Sequence, residues 1–230
     1  MKHFTLACAA ATLAFAVSPA ARGDVGADVQ QQCGGCHALA APDPAAGAAE
    51  RAQRKAPPLH FAGNKFRRDW LVAWLQAPTT LRPAGVFPAA LAKRGPKGDV
   101  VDAASLPKHP AIPAAQAGAV ADHLMTLRPF DKLIQSEKYE PGTIAARMGQ
   151  MNFGKFKGCD GCHRDAPDRG GVSGPELYTA WQRLQPAFIS SYIADPVAWD
   201  PHTMMPKGDA NAAAVHKLAD YLKVIGEKQP

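Results

Sequence analysis

The sequence lacks several things at once. After its first residues, no stretch approaches the 18 or so apolar residues that read as a membrane span. Charge is nearly balanced in the 230 residues, with 26 Lys plus Arg against 20 Asp plus Glu and a formal net of +6. No run alternates apolar and polar residues in the manner of a half-buried strand, so an all-α fold is expected. With 47% hydrophobic and 20% charged residues, the chain is not a disordered or collagen-like one. Its length suits one large domain or two of about 100 residues. Cysteine is scarce, five in all, and an odd number matters if the compartment is oxidising.

The N-terminus reads Met1-Lys2-His3, then an apolar run from Phe4 to Val17, then Ser18-Pro19-Ala20-Ala21-Arg22-Gly23. A positive start, a short apolar stretch and small residues describe a secretory signal peptide over residues 1–23, cleaved after Ala20 or Gly23. The alternative is a retained amphipathic anchor. Cys8 lies inside the run, too early for a lipoprotein site. Cleavage would remove Cys8, Lys2, Arg22 and no acids, so the net falls from +6 to +4 and four cysteines remain.

Those four form one pattern twice: Cys33-Gly-Gly-Cys36-His37 and Cys159-Asp-Gly-Cys162-His163. The chain's own frequencies predict roughly 0.004 matches to C-x-x-C-H, so two are not chance. The spacing has a chemical reason. Each cysteine adds to one vinyl group of haem, and the adjacent histidine reaches the iron from the same loop. Two disulfides would not need a histidine after each pair. A four-cysteine zinc site would not place its pairs so far apart, each with its own histidine.

Each half resembles a class I c-type cytochrome, and the whole resembles the diheme periplasmic cytochromes c of bacteria. That resemblance implies two small helical bundles, each wrapped round a covalently attached haem, at residues 24–135 and 136–230. It implies a Pro-x-Leu segment beside the proximal histidine, a later methionine often followed by proline, and a closing helix. The second half supplies Cys159 to His163, Pro175-Glu176-Leu177, Met205-Pro206 and a helical stretch from Ala210 to Ile225.

The halves also repeat each other. At an offset of 118, Pro57-Pro58-Leu59-His60 falls on Pro175-Glu176-Leu177-Tyr178. The same offset places Trp70, Trp74, Pro78 and Pro83 on Phe188, Tyr192, Pro196 and Pro201. It also puts Phe87-Pro88 on Met205-Pro206, and phenylalanine cannot ligate iron. The closing helices match with Ala121 on Ala219, leaving 33 positions after Pro88 against 13 after Pro206. Within that 20-residue excess lies His109-Pro110, the best candidate for the distal ligand of the first haem. His60, Met125 and an open position remain alternatives. In the second half Met205 is favoured over Met204, with His202 and His216 solvent-facing or beside the ligands.

Helices are expected over residues 24–32 (capped by Asp24), 67–76, 114–127, 143–153 and 210–225. Residues 38–56 read as a surface excursion, and the join falls between Arg128 and Pro141. The first half is +4 and the second neutral, and Lys93-Arg94 with Lys97 would suit an acidic redox partner or a solvated loop. The expected function is single-electron transfer between periplasmic redox proteins. Methionine ligation raises the potential and a second histidine lowers it, so electrons would run from haem 1 to haem 2. The alternatives are a catalytic haem that oxidises a small sulfur compound or reduces peroxide, and a permanent subunit of a larger dehydrogenase or oxidase. No nucleic acid partner is expected, and no integral membrane segment after cleavage.

Overall fold

The computed structural model describes residues 24–96 and 98–229; the expected leader with Cys8, and Lys97, lie outside the described residues. About half of the chain is helical. Helix α1 (Val25–Cys33) begins where Asp24 accepts from the backbone N–H groups of Gly26 (2.9 Å) and Ala27 (3.3 Å), satisfying donors the first turn leaves open. It ends on the first cysteine of the first motif. The first half continues with α2 (Gly47–Gln53), α3 (Ala62–Lys65), α4 (Arg68–Gln76) and α5 (Ala114–Thr126). The join carries α6 (Asp131–Ser136). The second half holds α7 (Ala146–Gln150), α8 (Ala180–Arg183), α9 (Pro186–Ala194), α10 (Pro196–Trp199) and α11 (Ala212–Gly226). Helix α7 runs into a π-helical turn at Met151–Phe156, so the helix expected over 143–153 starts later and ends differently.

Two short hairpins depart from an all-helical chain. One pairs β1 (Ala92–Gly95) with β2 (Gly98–Val101), and the other pairs β3 (Arg164–Ala166) with β4 (Arg169–Gly170). Neither alternates apolar and polar residues. Lys93 and Arg94 are exposed on β1, so that hairpin has no buried face from which to read a period.

Two cores hold the molecule together. In the first, Val29, Leu71, Leu75, Val120 and Leu124 pack where α1, α4 and α5 meet. In the second, Phe153, Phe188, Trp199, Leu218, Tyr221 and Leu222 gather around α9 and α11. Each such side chain contributes about 1.5–3 kcal/mol by leaving water. Both cores use one device: a glycine on the opening helix admits a ring from the closing helix. A Cβ at Gly149 would lie 2.3 Å from the Tyr221 ring, and one at Gly26 would lie 3.1 Å from His123. At the join, fully buried Asn64 donates to Asp131 (2.7 Å) and accepts from the Phe130 N–H (3.1 Å).

The halves meet along a seam whose contacts are reciprocal about one pair of equivalent positions. Phe66 bridges Leu184, its counterpart at the offset of 118. The Arg67 N–H donates to the Arg183 carbonyl (2.9 Å), and the Gln185 N–H to the Lys65 carbonyl (2.9 Å). Side chains repeat the rule. Arg67 Nε donates to the carbonyls of Trp181 (3.1 Å) and Leu184 (3.0 Å), and Gln185 Nε2 to those of Gly63 (2.8 Å) and Phe66 (2.9 Å). Phe61 of the first half completes the second core, 6.1 Å from the Phe188 ring and 5.8 Å from Trp199. The join and the seam therefore fuse what the two cores separate.

Candidate haem-binding site

The two motifs adopt one backbone turn. The His37 N–H donates to the Cys33 carbonyl and the His163 N–H to the Cys159 carbonyl, both at 2.9 Å. In each half the carbonyl of the next residue then takes the N–H of the Pro-x-Leu leucine: Ala38 from Leu59 (2.9 Å) and Arg164 from Leu177 (2.7 Å). This bond brings the proline carbonyl over the histidine. His37 Nδ1 donates to the Pro57 carbonyl and His163 Nδ1 to the Pro175 carbonyl, each at 2.7 Å. A carbonyl only accepts, so each Nδ1 carries the proton and each Nε2 keeps its lone pair. Burial pushes both imidazoles down from their ordinary value; the proline carbonyls pull the other way, and Arg82 and Arg183 add to the depression at His163. Neutral rings are the ligating form. Gly174 makes room for His163: a Cβ there would sit 2.5 Å from the ring.

Among the described residues no disulfide joins the four motif cysteines; Cys36 and Cys162 are exposed and Cys33 and Cys159 half-buried. Burial, with Asp160 nearby, pushes the Cys159 thiol up to about 11. Burial and Cys36 raise Cys33. Among the described residues, no group of three or more His, Cys, Asp and Glu is placed to hold a metal ion. A haem iron, however, needs only two protein ligands.

On the distal side, the fold brings His109 to His37, with ring centres 6.1 Å apart. His109 Nδ1 donates to the Pro110 carbonyl (2.8 Å), so its Nε2 is also free. Two imidazoles held on opposite sides of one metal ion by bonds of about 2 Å would have ring centres about 6 Å apart. His109 is exposed and leans on Trp74, 4.7 Å between ring centres. His60 sits elsewhere: it is 4% exposed, edge-on to Phe61 (4.8 Å), and lines a cleft with Leu39 to Ala41 and Thr126 to Pro129. Met125 packs against the first core.

In the second half, Met205 is half-buried and Met204 is 44% exposed. The Met205 N–H donates to Thr203 Oγ1 (3.2 Å), which Tyr192 OH meets at 2.9 Å. Tyr192 is the counterpart of Trp74, so one position on α4 and α9 supports the distal segment in both halves. His202 is buried rather than solvent-facing, and His216 lies 3.7 Å from Glu137.

Between the two sites lies a set of cations that sequence reading had not singled out. Lys65 lies 5.0 Å from the Phe66 ring centre and 5.6 Å from that of Phe61. Burial, then Arg82 and Arg183, push its ammonium down to about 7. Arg183 is 3% exposed and lies 3.5 Å from Glu176, whereas Lys65 and Arg82 pair with no carboxylate among the described residues. Inward-placed cations without anions are costly, so the seam fits a ligand that brings carboxylates. Two haems would bring four propionates. Three observations therefore fit the group: the free Nε2 atoms, the spacing of His37 and His109, and the unpaired cations. Comparisons with family models, with curated proteins and with solved structures return no match to this chain.

Proposed function

We propose that the chain is a diheme c-type cytochrome of the periplasm, built from two tandem class I cytochrome c domains, that passes single electrons between redox proteins. The observation that carries this reading is the repeated proximal turn, in which C-x-x-C-H and a proline carbonyl together leave one Nε2 free in each half. Cys33 and Cys36 would hold the first haem and Cys159 and Cys162 the second, through thioethers. His37 and His163 would be the proximal ligands, His109 and Met205 the distal ones. When bound, the haem iron supplies reversible one-electron oxidation and reduction.

The chain's residues do the rest. Pro57 and Pro175 hold the proximal rings in one tautomer. Trp74 and the Tyr192–Thr203 pair hold the distal segments, and Lys65 and Arg82 would receive carboxylates at the seam. With a haem in each half, one electron would enter from a donor protein at the His37–His109 site and leave for an acceptor protein from the His163–Met205 site. The exposure of His109 favours one second reading, a catalytic first haem whose distal histidine is displaced by a small substrate.

Expression with the cytochrome c maturation machinery tests the proposal. The expected product carries two covalent haems by mass and by pyridine haemochrome, both low-spin, titrating as two one-electron steps and inert to carbon monoxide. A chain without covalent haem overturns the reading, and a high-spin, carbon monoxide-binding half replaces it with the catalytic one.

A further inference from the structure

Residues 38–56, which the sequence presents as a surface excursion, reach across the molecule instead. Asp43 caps the turn at Pro44–Ala46, and α2 then carries Glu50 toward Arg54. Arg54 Nε donates to both Glu50 oxygens (2.9 and 3.0 Å). Its two terminal nitrogens grip Asp200 of the second half in a bidentate pair at 2.5 and 2.8 Å. Beside them, His202 Nδ1 meets Glu50 Oε2 at 2.6 Å, and its Nε2 meets the Pro44 carbonyl at 3.3 Å. Both ring nitrogens thus face acceptors, which suits an imidazolium. Two anions and two cations close a cluster in which Asp200 and His202 are each 5% exposed and the Arg54 side chain 10%.

The cluster holds the turn that presents Met205. Asp200 accepts from the His202 N–H (3.0 Å), and its carbonyl accepts from Thr203 (3.0 Å). Thr203 in turn accepts from Met205. The counterparts of Asp200 and His202 in the first half are Arg82 and Ala84, which cannot supply the carboxylate and imidazole of such a clamp.

We infer that Glu50 and Arg54 of the first half are positioning residues for Met205 of the second, so that the second redox site depends on the docking of the first half. This rests on the reading that Met205 ligates iron. A bidentate guanidinium–carboxylate pair fixes direction as well as distance, which a single lysine contact would not.

The test uses the diheme holoprotein and the far-red absorption band that marks methionine sulfur on ferric iron. In Arg54→Ala, the concentration of added imidazole that half-abolishes the band falls at least tenfold. The higher midpoint potential also drops, while haem count and helical circular dichroism stay as in the parent. Arg54→Lys restores part of the loss. Glu50→Gln, which keeps shape and removes one charge, gives about a threefold change and carries the test if Arg54→Ala yields no soluble holoprotein. Unchanged imidazole titrations and potentials in both variants overturn the inference. A band that survives Met205→Leu overturns the ligand assignment instead, so the two failures are distinguishable.

Discussion

The two halves share a proximal side and differ on the distal one. His37 and His163 sit in equivalent turns, bonded to the equivalent prolines Pro57 and Pro175 at the same 2.7 Å. Their distal candidates are an exposed histidine against Trp74 and a half-buried methionine hung from Thr203 and Tyr192. What each half adds follows the same division. The first half carries two extra segments, and both lie over the second. Residues 43–54 clamp Asp200 and His202, while Val100, Val101, Ala103 and Leu106 line a cleft with Arg164, Val172 and Tyr178. The half that donates cover leaves its own candidate, His109, in water. The C-x-x-C-H turn is present in duplicate, and solvent access to the candidates beyond it is unequal.

The sharpest way to break this comparison is at the four motif cysteines. Cys33→Ser with Cys36→Ser should leave one covalent haem, and Cys159→Ser with Cys162→Ser the other, as counted by mass spectrometry. Loss of both haems from either variant would mean that the halves do not load independently.

Next come the distal ligands. His109→Ala should turn one haem high-spin and open it to carbon monoxide. Met205→Leu should lower the higher midpoint by on the order of 0.1 V, a fraction of the roughly 0.8 V that axial ligands span. An all-low-spin His109→Ala spectrum would remove His109 from the site.

The seam offers a smaller test. Arg67→Ala and Gln185→Ala each delete a side chain that donates to two carbonyls of the other half. Urea unfolding should show a loss of about 2–3 kcal/mol for the charged donor and about 1–2 kcal/mol for the neutral one. Unequal losses far outside those ranges would argue against matched roles.

The weakest effect is that of pH on the clamp. Glu50, hydrogen-bonded by Arg54 and His202, raises His202 above its ordinary 6.5. A raised histidine contributes stability that is complete below the unfolded value and lost as pH rises through the folded one. Stability should therefore fall with pH above about 6.5, and Glu50→Gln should flatten that fall. In acid the clamp should weaken again. Burial alone would raise Asp200, but Arg54 and the His202 N–H hold it below the usual carboxylate value, so its contribution is lost only as pH falls through that lowered value.

The local turns, caps and helix ends were legible residue by residue. The motifs, the Pro-x-Leu register, the Asp24 cap and the closing helices all rest on neighbours within about 20 positions, where spacing is a physical constraint. Counting an insertion put His109 forward, and its ring centre lies 6.1 Å from that of His37. The clamp left no local signal, because Arg54 and Asp200 lie 146 positions apart and each reads alone as a solvated charge. Likewise Lys65, Arg82 and Arg183 belong to separate segments and become a cluster only once the seam forms. The hairpin at Ala92–Val101 escaped because it buries no face.

The bridge between Phe66 and Leu184 has a consequence of its own. A surface whose contacts repeat reciprocally about one position that meets its own image is self-complementary, the geometry of a two-fold homodimer. A single repeat bearing that patch would be built to pair with a second copy, at a cost set by protein concentration. Tethering the copies through residues 128–145 makes the encounter intramolecular and independent of dilution. It also frees each copy to change separately, which identical subunits cannot do.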